Sequence, residues 1–165
     1  METAAHTSAP APADAHYKTP GFFTQHVFNR AIVRLTRMGV SVWGSRELRV
    51  VGRKSGTVRK VPVNLLSHDG RRYLVAPRGT TQWVRNLRAA GTAELRVGRR
   101  VEAFRATEIA DADKVEILRA YLRRWKMEVG VFFDGIGPDS SDAEIGAIAD
   151  RHPVFLVEAV EAHPA

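Results

Sequence analysis

The sequence predicts an α+β, mainly β fold: a small barrel of about six antiparallel strands with peripheral helices. Strand-like segments follow one another at hairpin spacing between residues 47 and 109, with turns rich in Gly and Asp between them. One short helical pattern interrupts these strands. Two more helical patterns and a closing apolar strand come after them. With 165 residues the chain has room for one domain and a sizeable core.

The N-terminal part divides into a tail and an amphipathic segment. Residues 1–18 are rich in Ala, Pro, Thr and His and have almost no large apolar side chains, so we expect disorder there and a single domain over 19–162. Residues 21–38 predict an amphipathic helix with Phe22 and Phe23 on it and a row of Arg30, Arg34 and Arg37. The helix would cover the core. Contact with a membrane surface, or a lid over a hydrophobic substrate, are the alternatives.

The barrel strands are predicted from short runs of β-branched and apolar residues at 47–51, 58–67, 72–76, 93–97 and 101–109. Between the third and fourth strands, residues 81–90 predict a helix. Trp83, Leu87 and Ala90 share one face of that helix, and Gly91 provides a stop.

Three further elements follow the fifth strand. Residues 111–127 predict a helix that begins at an Asp111 cap and buries Val115, Leu118 and Leu122. Residues 141–150 predict a helix capped by Ser140 or Ser141. The apolar run at 153–160 predicts the closing strand.

The net charge of +7 is concentrated in one part of the chain. Residues 46–100 contain 14 Lys and Arg and three acidic residues, a net charge of +11, which leaves −4 for the rest. A local positive field attracts an anionic partner: a phosphorylated cofactor, a nucleic acid or a membrane surface.

The most informative motif is the basic turn, residues 52–62, which reads GRKSGTVRKVP. Its two glycines allow close backbone approach, and Ser55, Thr57 and exposed amides can donate hydrogen bonds to phosphate oxygens. Arg53, Lys54, Arg59 and Lys60 add positive charge. The motif predicts an anion site, although a basic hairpin tip can also be an ordinary solvated turn.

Several kinds of chemistry have no motif in this sequence. Cysteine is absent, the six histidines have no helical metal-site spacing, and no Walker loop, dinucleotide fingerprint or nucleophile elbow is present. No signal peptide or apolar run of membrane-spanning length is visible, so we expect a soluble, cytoplasmic protein. An enzyme with no evident nucleophile, acid/base pair or metal takes its chemistry from a cofactor.

Four segments carry a family resemblance: residues 52–56 with Arg59 and Pro62, residues 75–79, residues 83–87 with Gly91, and residues 153–157. With these, residues 48–160 resemble the deazaflavin (F420)-dependent nitroreductase and quinone reductase family of actinobacterial type. The resemblance implies a split β-barrel related to flavin mononucleotide (FMN)-binding proteins. The implied cofactor is coenzyme F420, with FMN as the alternative.

The resemblance also implies a cofactor site. Arg53, Lys54, Ser55 and Arg59 would contact the phosphodiester and acidic tail of F420. Pro62 and Val63 would lie near the deazaflavin ring, with Ala76, Pro77 and Arg78 approaching from the neighbouring strand and Trp83 and Asn86 completing the pocket. For Trp83, a role as a core anchor explains the residue equally well.

The implied reaction is hydride transfer from reduced deazaflavin to a quinone, a nitroaromatic or an activated alkene. Trp125, Phe132 and Phe133 suggest an apolar substrate wall, which core packing explains about as well. Pro77 replaces a serine that is frequent in the family, and residues 125–136 lack the tyrosines of its nitro-reducing members. A hydrophobic acceptor would be the direct partner, and an F420-reducing dehydrogenase an indirect one through the shared coenzyme.

Two other readings stay open. A split-barrel protein could bind FMN, haem or a hydrophobic ligand without turnover of F420. A nucleic-acid-binding barrel could use the same basic face, but Tyr73 and Trp83 are the only aromatics between residues 46 and 100, too few for an evident stacking platform. We therefore expect no nucleic-acid partner.

Overall fold

The computed structural model describes residues 45–160. The predicted tail at 1–18, the predicted helix at 21–38 and both domain boundaries lie outside these residues. The six strands are β1 Ser45–Val51, β2 Val58–His68, β3 Arg71–Val75, β4 Thr92–Val97, β5 Arg100–Glu108 and β6 Val154–Ala159. The three α-helices of the described part are α1 Gln82–Ala90, α2 Val115–Val129 and α3 Asp142–Gly146. Every strand lies within two residues of its predicted bounds.

The strands close into a barrel in the order β1-β2-β3-β6-β5-β4, and all neighbouring strands are antiparallel. The last strand, β6, lies between β3 and β5, because Leu156 lies opposite both Tyr73 of β3 and Thr107 of β5. Closure leaves no free edge in the sheet formed by the six described strands. The predicted barrel with peripheral helices is confirmed.

Two apolar clusters stabilise this architecture. The barrel cluster fills the interior and includes Leu48, Leu74, Leu87, Phe104 and Phe155. The helix cluster lies between the helices and the outside of β3, and its buried residues include Leu118, Tyr121, Leu122, Trp125, Phe133 and Ile145. In the described part of the chain, no helix is long and apolar enough to span a membrane.

Helix α1 ends as predicted but buries a different face. Gly91 has a φ of 68° and its N–H donates to the Leu87 carbonyl, which confirms the stop. Val84, Asn86 and Leu87 are buried, Trp83 is half-buried and Ala90 is exposed. The predicted face was wrong at Ala90 because the helix sits over the mouth of the barrel, where Val84 and Leu87 enter the barrel cluster.

The predicted start of the second helix was also wrong. Residues 111–113 form a separate 3-10 turn, and α2 begins only at Val115. The buried ammonium group of Lys114 donates to Asp111 and to the Ala149 carbonyl, so Asp111 pairs with a charge and does not cap the helix. Val115 is half-buried, whereas Leu118 and Leu122 are buried as predicted.

The third helix is shorter than predicted, because α3 ends at Gly146 and a 3-10 turn follows at Ala149–Arg151. Its start is confirmed at Ser141. The Ser141 hydroxyl accepts from the Glu144 N–H, and the Glu144 carboxylate accepts from the Ser141 N–H, which forms a capping box.

Candidate functional site

A cavity of about 760 Å³ lies between the basic turn, β2, the end of β3, the start of α1 and the second half of α2. The structure brings all eleven predicted cofactor residues to its wall: Arg53, Lys54, Ser55, Arg59, Pro62, Val63, Ala76, Pro77, Arg78, Trp83 and Asn86. Because the eleven lie on four separate stretches of the chain, tertiary folding has assembled them. Their binding roles stay predictions.

The basic turn is held by its own backbone. The Gly52 N–H donates to the Thr57 carbonyl at 2.8 Å, and the Gly56 N–H donates to the Gly52 carbonyl at 2.8 Å. A Cβ on Gly52 would lie 2.7 Å from Ser55 Oγ and 3.1 Å from the Thr57 carbonyl oxygen, so the turn leaves no room for a side chain there. Gly56 has a φ of 67°, in the left-handed region that favours glycine.

Arg53 joins the turn to helix α1. Its guanidinium donates to Asn86 Oδ1 at 2.9 Å and to Gln82 Oε1 at 3.0 Å, and its backbone N–H donates to Asn86 Oδ1 at 3.3 Å. Asn86 is only 5% exposed, so this anchor is firmly placed. Both acceptors are neutral amides. The positive charge of Arg53 is therefore positioned without being neutralised by these contacts.

Charge is unevenly distributed around the cavity. Among the described residues that line it, Glu128 is the single carboxylate. Five lining side chains are cationic: Arg53, Lys54, Arg59, Lys60 and Arg78. The first turn of α1 also lies here and contains no acidic residue, and its N-cap Thr81 makes no side-chain capping bond. The partial positive charge of that helix end adds to the field.

The middle of the cavity is apolar. Pro62 and Val63 line it from β2, and Ala76 and Pro77 line it from the chain that leaves β3. Half-buried Trp83 contributes one wall, and its ring centroid lies 6.0 Å from that of Phe155 in the barrel cluster. Trp83 therefore combines both of the roles considered for it, packing against the core and lining the cavity.

The end of the cavity farthest along β2 from the turn is formed by residues that the sequence did not indicate. Ser45, Asn64, Tyr121, Glu128 and Val129 line it. Tyr121 is 2% exposed and its hydroxyl is hydrogen-bonded to the Asn64 side chain. Burial raises the pKa of Tyr121 well above its usual range, so the hydroxyl stays protonated at neutral pH.

The sequence carried only a weak signal for these residues. Tyr121 falls in the apolar stripe of α2 and reads as core, and Asn64 looks like one polar position in an alternating strand. Lys60 belongs to the basic turn and Gln82 precedes Trp83, so extending either predicted segment by one residue would have included them.

The predicted substrate wall is not assembled as expected. Trp125 and Phe133 are each 1% exposed and do not line the cavity. They belong to the helix cluster, where Tyr121 lies 4.9 Å from the Trp125 ring and Phe133 stacks on His152. Half-buried Phe132 lies under the guanidinium of Arg78 at 5.9 Å and is one step removed from the cavity. Packing explains Trp125 and Phe133, because both rings are buried in the helix cluster.

The residues present fit an elongated ligand with an anionic end and a flat apolar part. The basic turn supplies positioned cations and a backbone fold without room for a Cβ, and the next section of the cavity supplies an apolar slot beside Trp83. A cavity of this volume lies in the range of cofactor sites, roughly 300–1,000 Å³. F420, with a phosphodiester and carboxylates attached to a planar ring, has this shape and charge.

The barrel matches solved structures of low sequence identity. One is an F420-H2 dependent reductase, FDR-A, with a TM-score of 0.51, 20% identity, and coverage of 70% of this chain and 94% of that one. A second, described as a domain-swapped dimer, has a TM-score of 0.52 and 20% identity, covering 82% and 98%. The haem storage protein HutZ of Vibrio cholerae has a TM-score of 0.50 and 8% identity, covering 80% and 90%. A comparison with curated proteins finds no match.

These likenesses and the closed six-strand barrel define a protein of the split β-barrel class. The family model for F420H(2)-dependent quinone reductases matches residues 32–131, more than half of the chain. The chain belongs to that family. It is an oxidoreductase that uses coenzyme F420.

Proposed function

We propose that this reductase passes a hydride from reduced F420 to a neutral, apolar quinone, with activated alkenes and nitroaromatics as secondary acceptors. The cavity described above would hold the coenzyme tail at the basic turn, the ring beside Trp83 and the acceptor near Tyr121. The observation that carries the proposal is the change of polarity along β2, from Arg59 at the cationic end to Asn64 at the far end. Arg59 and Asn64 are five residue steps apart on the extended strand, about 17 Å.

The basic turn supports the proposed placement of the tail. Lys54, Arg59 and Lys60 are exposed, and Arg53 is fixed by Asn86 and Gln82. Charge-assisted hydrogen bonds from such groups to phosphate or carboxylate oxygens are stronger than neutral ones. FMN has a single phosphate and no acidic tail, so it would use fewer of these contacts, which favours F420 over FMN.

The far end supports a neutral acceptor. Glu128 stands there among uncharged residues, and a carboxylate disfavours a second negative charge nearby. Ser45, Asn64 and Tyr121 offer hydrogen-bonding groups to a carbonyl oxygen. The apolar middle of the cavity would receive the ring of a quinone.

The protein contributes positioning and the exclusion of water. Bound reduced F420 supplies the hydride, so no side chain has to act as a nucleophile or hold a metal. Trp83 and Pro77 shape the slot in which two flat molecules can lie against each other. A dehydrogenase that reduces F420 would be an indirect partner through the shared coenzyme. Cytoplasmic location, with a membrane contact through residues 21–38, remains a prediction.

The test begins with the purified protein titrated with F420 and, separately, with FMN, while ligand fluorescence is recorded. We expect micromolar or tighter binding of F420 and much weaker binding of FMN. Reduced F420 is then mixed with a neutral benzoquinone, a carboxylated benzoquinone, an enone and a nitroaromatic, and its oxidation is followed by absorbance. Neutral quinone should react fastest. Equal rates for the neutral and carboxylated quinones would contradict the proposed selection for neutral acceptors.

A further inference from the structure

Tyr121 reaches the cavity wall although only 2% of its surface is exposed. Its ring is held in the helix cluster, with the Trp125 centroid at 4.9 Å and the Phe133 centroid at 6.4 Å. A phenylalanine would make these same ring contacts. The part of the residue that phenylalanine lacks, the hydroxyl group, is hydrogen-bonded to Asn64, which also lines the cavity.

A phenol hydroxyl has one O–H to donate and two positions at which it can accept, so a single hydrogen bond with the Asn64 amide does not exhaust it. The hydrogen bond with Asn64 acts to lower the pKa of Tyr121. Burial acts in the opposite direction and dominates, so the hydroxyl keeps its proton at neutral pH. A protonated phenol that accepts from Asn64 still has its own O–H to donate.

We propose that the Tyr121 hydroxyl donates a hydrogen bond to the carbonyl oxygen of the electron acceptor, with Asn64 orienting it. The inference rests on the proposed function. As the acceptor carbonyl is reduced, negative charge develops on its oxygen, and a positioned donor in a site shielded from water stabilises that charge. The acceptor gains a hydride and a proton while reduced F420 loses both, so the reaction balances without another oxidant or reductant. Tyr121 keeps its own proton throughout.

The same geometry predicts which acceptors depend on Tyr121. A strongly electrophilic quinone needs less help at its oxygen than a weakly electrophilic enone. The contribution of the hydroxyl should therefore increase as the acceptor becomes less electrophilic. A tyrosine that only packs the core would affect all acceptors alike.

The test compares Tyr121→Phe with Tyr73→Phe in the full-length protein. Tyr73 is also buried, at 6% exposed, but does not line the cavity, so it provides a matched loss of a phenol hydroxyl. For a weakly electrophilic enone we expect Tyr121→Phe to lower kcat/KM at least tenfold, roughly, with a smaller loss for a strongly electrophilic quinone. The Kd of F420 should not change. Tyr73→Phe should leave kcat/KM within about twofold of the wild type.

The outcomes separate this inference from the proposed function. If the wild type binds F420 and reduces the acceptors while Tyr121→Phe matches it, the role of Tyr121 is wrong and the proposed function stands. An equal loss for every acceptor would also overturn it. If the wild type neither binds F420 nor reduces quinones, the proposed function itself is wrong. If Tyr121→Phe does not fold, Asn64→Ala at a half-buried position serves instead, and the same acceptor-dependent loss is required.

Discussion

The two ends of the cavity are built in opposite ways. At the basic turn, backbone hydrogen bonds and two glycines set the shape, while Lys54 and Arg59 extend into solvent. At the other end, the wall includes Tyr121, whose ring is part of the helix cluster. Binding and folding are therefore separable at the basic turn. At the α2 end they are joined, because the residues that hold Tyr121 in place also hold the helix in place.

This difference also shows why aromatic residues were harder to interpret than cations. Exposed cations contribute little to folding, so a cluster of them around glycines indicates binding. Buried aromatic side chains contribute much to folding whether or not a ligand lies nearby. Trp125 and Tyr121 are neighbours on the same helix, yet only Tyr121 reaches the cavity.

The largest effect is expected at the α2 end, from Trp125→Ala. Trp125 is 1% exposed in the helix cluster, so its truncation should lower the free energy of unfolding by about 3–5 kcal/mol. Urea unfolding followed by circular dichroism measures it. Phe132→Ala, at a half-buried position, is the control and should cost clearly less. If Trp125→Ala lost activity while its stability was unchanged, Trp125 would contact the substrate, as predicted from the sequence.

The next effect is on binding alone, at the basic turn. Lys54→Ala combined with Arg59→Ala should weaken F420 binding about tenfold or more at low salt, since two charge-assisted contacts are removed. The free energy of unfolding should change by less than about 0.5 kcal/mol, because both side chains are exposed. Fluorescence titration and urea unfolding measure the two quantities.

The matched control for this pair is Arg99→Ala combined with Arg105→Ala. Both residues are exposed, neither lines the cavity, and the loss of charge is the same. Its F420 affinity should remain close to that of the wild type. An equal weakening in both double variants would mean that overall charge, and not the turn, attracts the coenzyme.

Gly52→Ala tests whether binding and folding stay separable when the backbone of the turn is altered. The new Cβ would lie 2.7 Å from Ser55 Oγ and 3.1 Å from the Thr57 carbonyl oxygen, so the turn must shift. We expect a cost of about 1–2 kcal/mol in unfolding free energy, together with weaker F420 binding. Gly70→Ala, in a turn away from the cavity and with open space around its Cβ, should leave F420 affinity unchanged. Normal F420 binding by Gly52→Ala would show that the turn geometry is not needed.

The smallest effect is expected on the barrel surface, at the ion pair of Arg72 and Glu102. The two form a bidentate pair with distances of 2.9 and 2.6 Å, and the hydrogen bond from Arg72 lowers the pKa of Glu102, with Arg100 and Arg46 acting in the same direction. A lowered carboxyl pKa stabilises the fold above the pKa of the unfolded chain, and this stabilisation is lost as the pH falls through the folded pKa. Glu102→Gln should therefore cost less than about 1 kcal/mol near neutral pH.

The pH dependence is the check on that prediction. The difference in unfolding free energy between the wild type and Glu102→Gln should shrink as the pH falls toward about 3, and F420 affinity at neutral pH should be equal in the two proteins. A difference that persists at low pH would mean that Glu102 contributes through packing and not through its charge.

Much of the fold could be predicted because its signals are local. Each strand was marked by β-branched residues between turns, Gly91 marked the end of α1, and the serine-to-glutamate spacing at 141 and 144 marked the start of α3. The predicted start of α2 at Asp111 failed for a non-local reason. Lys114 is buried against the Ala149 carbonyl and pairs with Asp111, and residues 111–113 form a separate 3-10 turn before the helix begins at Val115.

In the candidate site, too, local features could be predicted from the sequence and features that depend on distant contacts could not. The sequence by itself determined the basic turn, since glycines and cations at close spacing define a local backbone and a local charge. It also determined the apolar positions of β2, the strand that leaves that turn. Only the tertiary structure decided that Tyr121 reaches the cavity while Trp125 and Phe133 do not. All three are aromatic residues of the helix cluster, and which of them meets the cavity depends on where β2, β3 and α3 pack against α2.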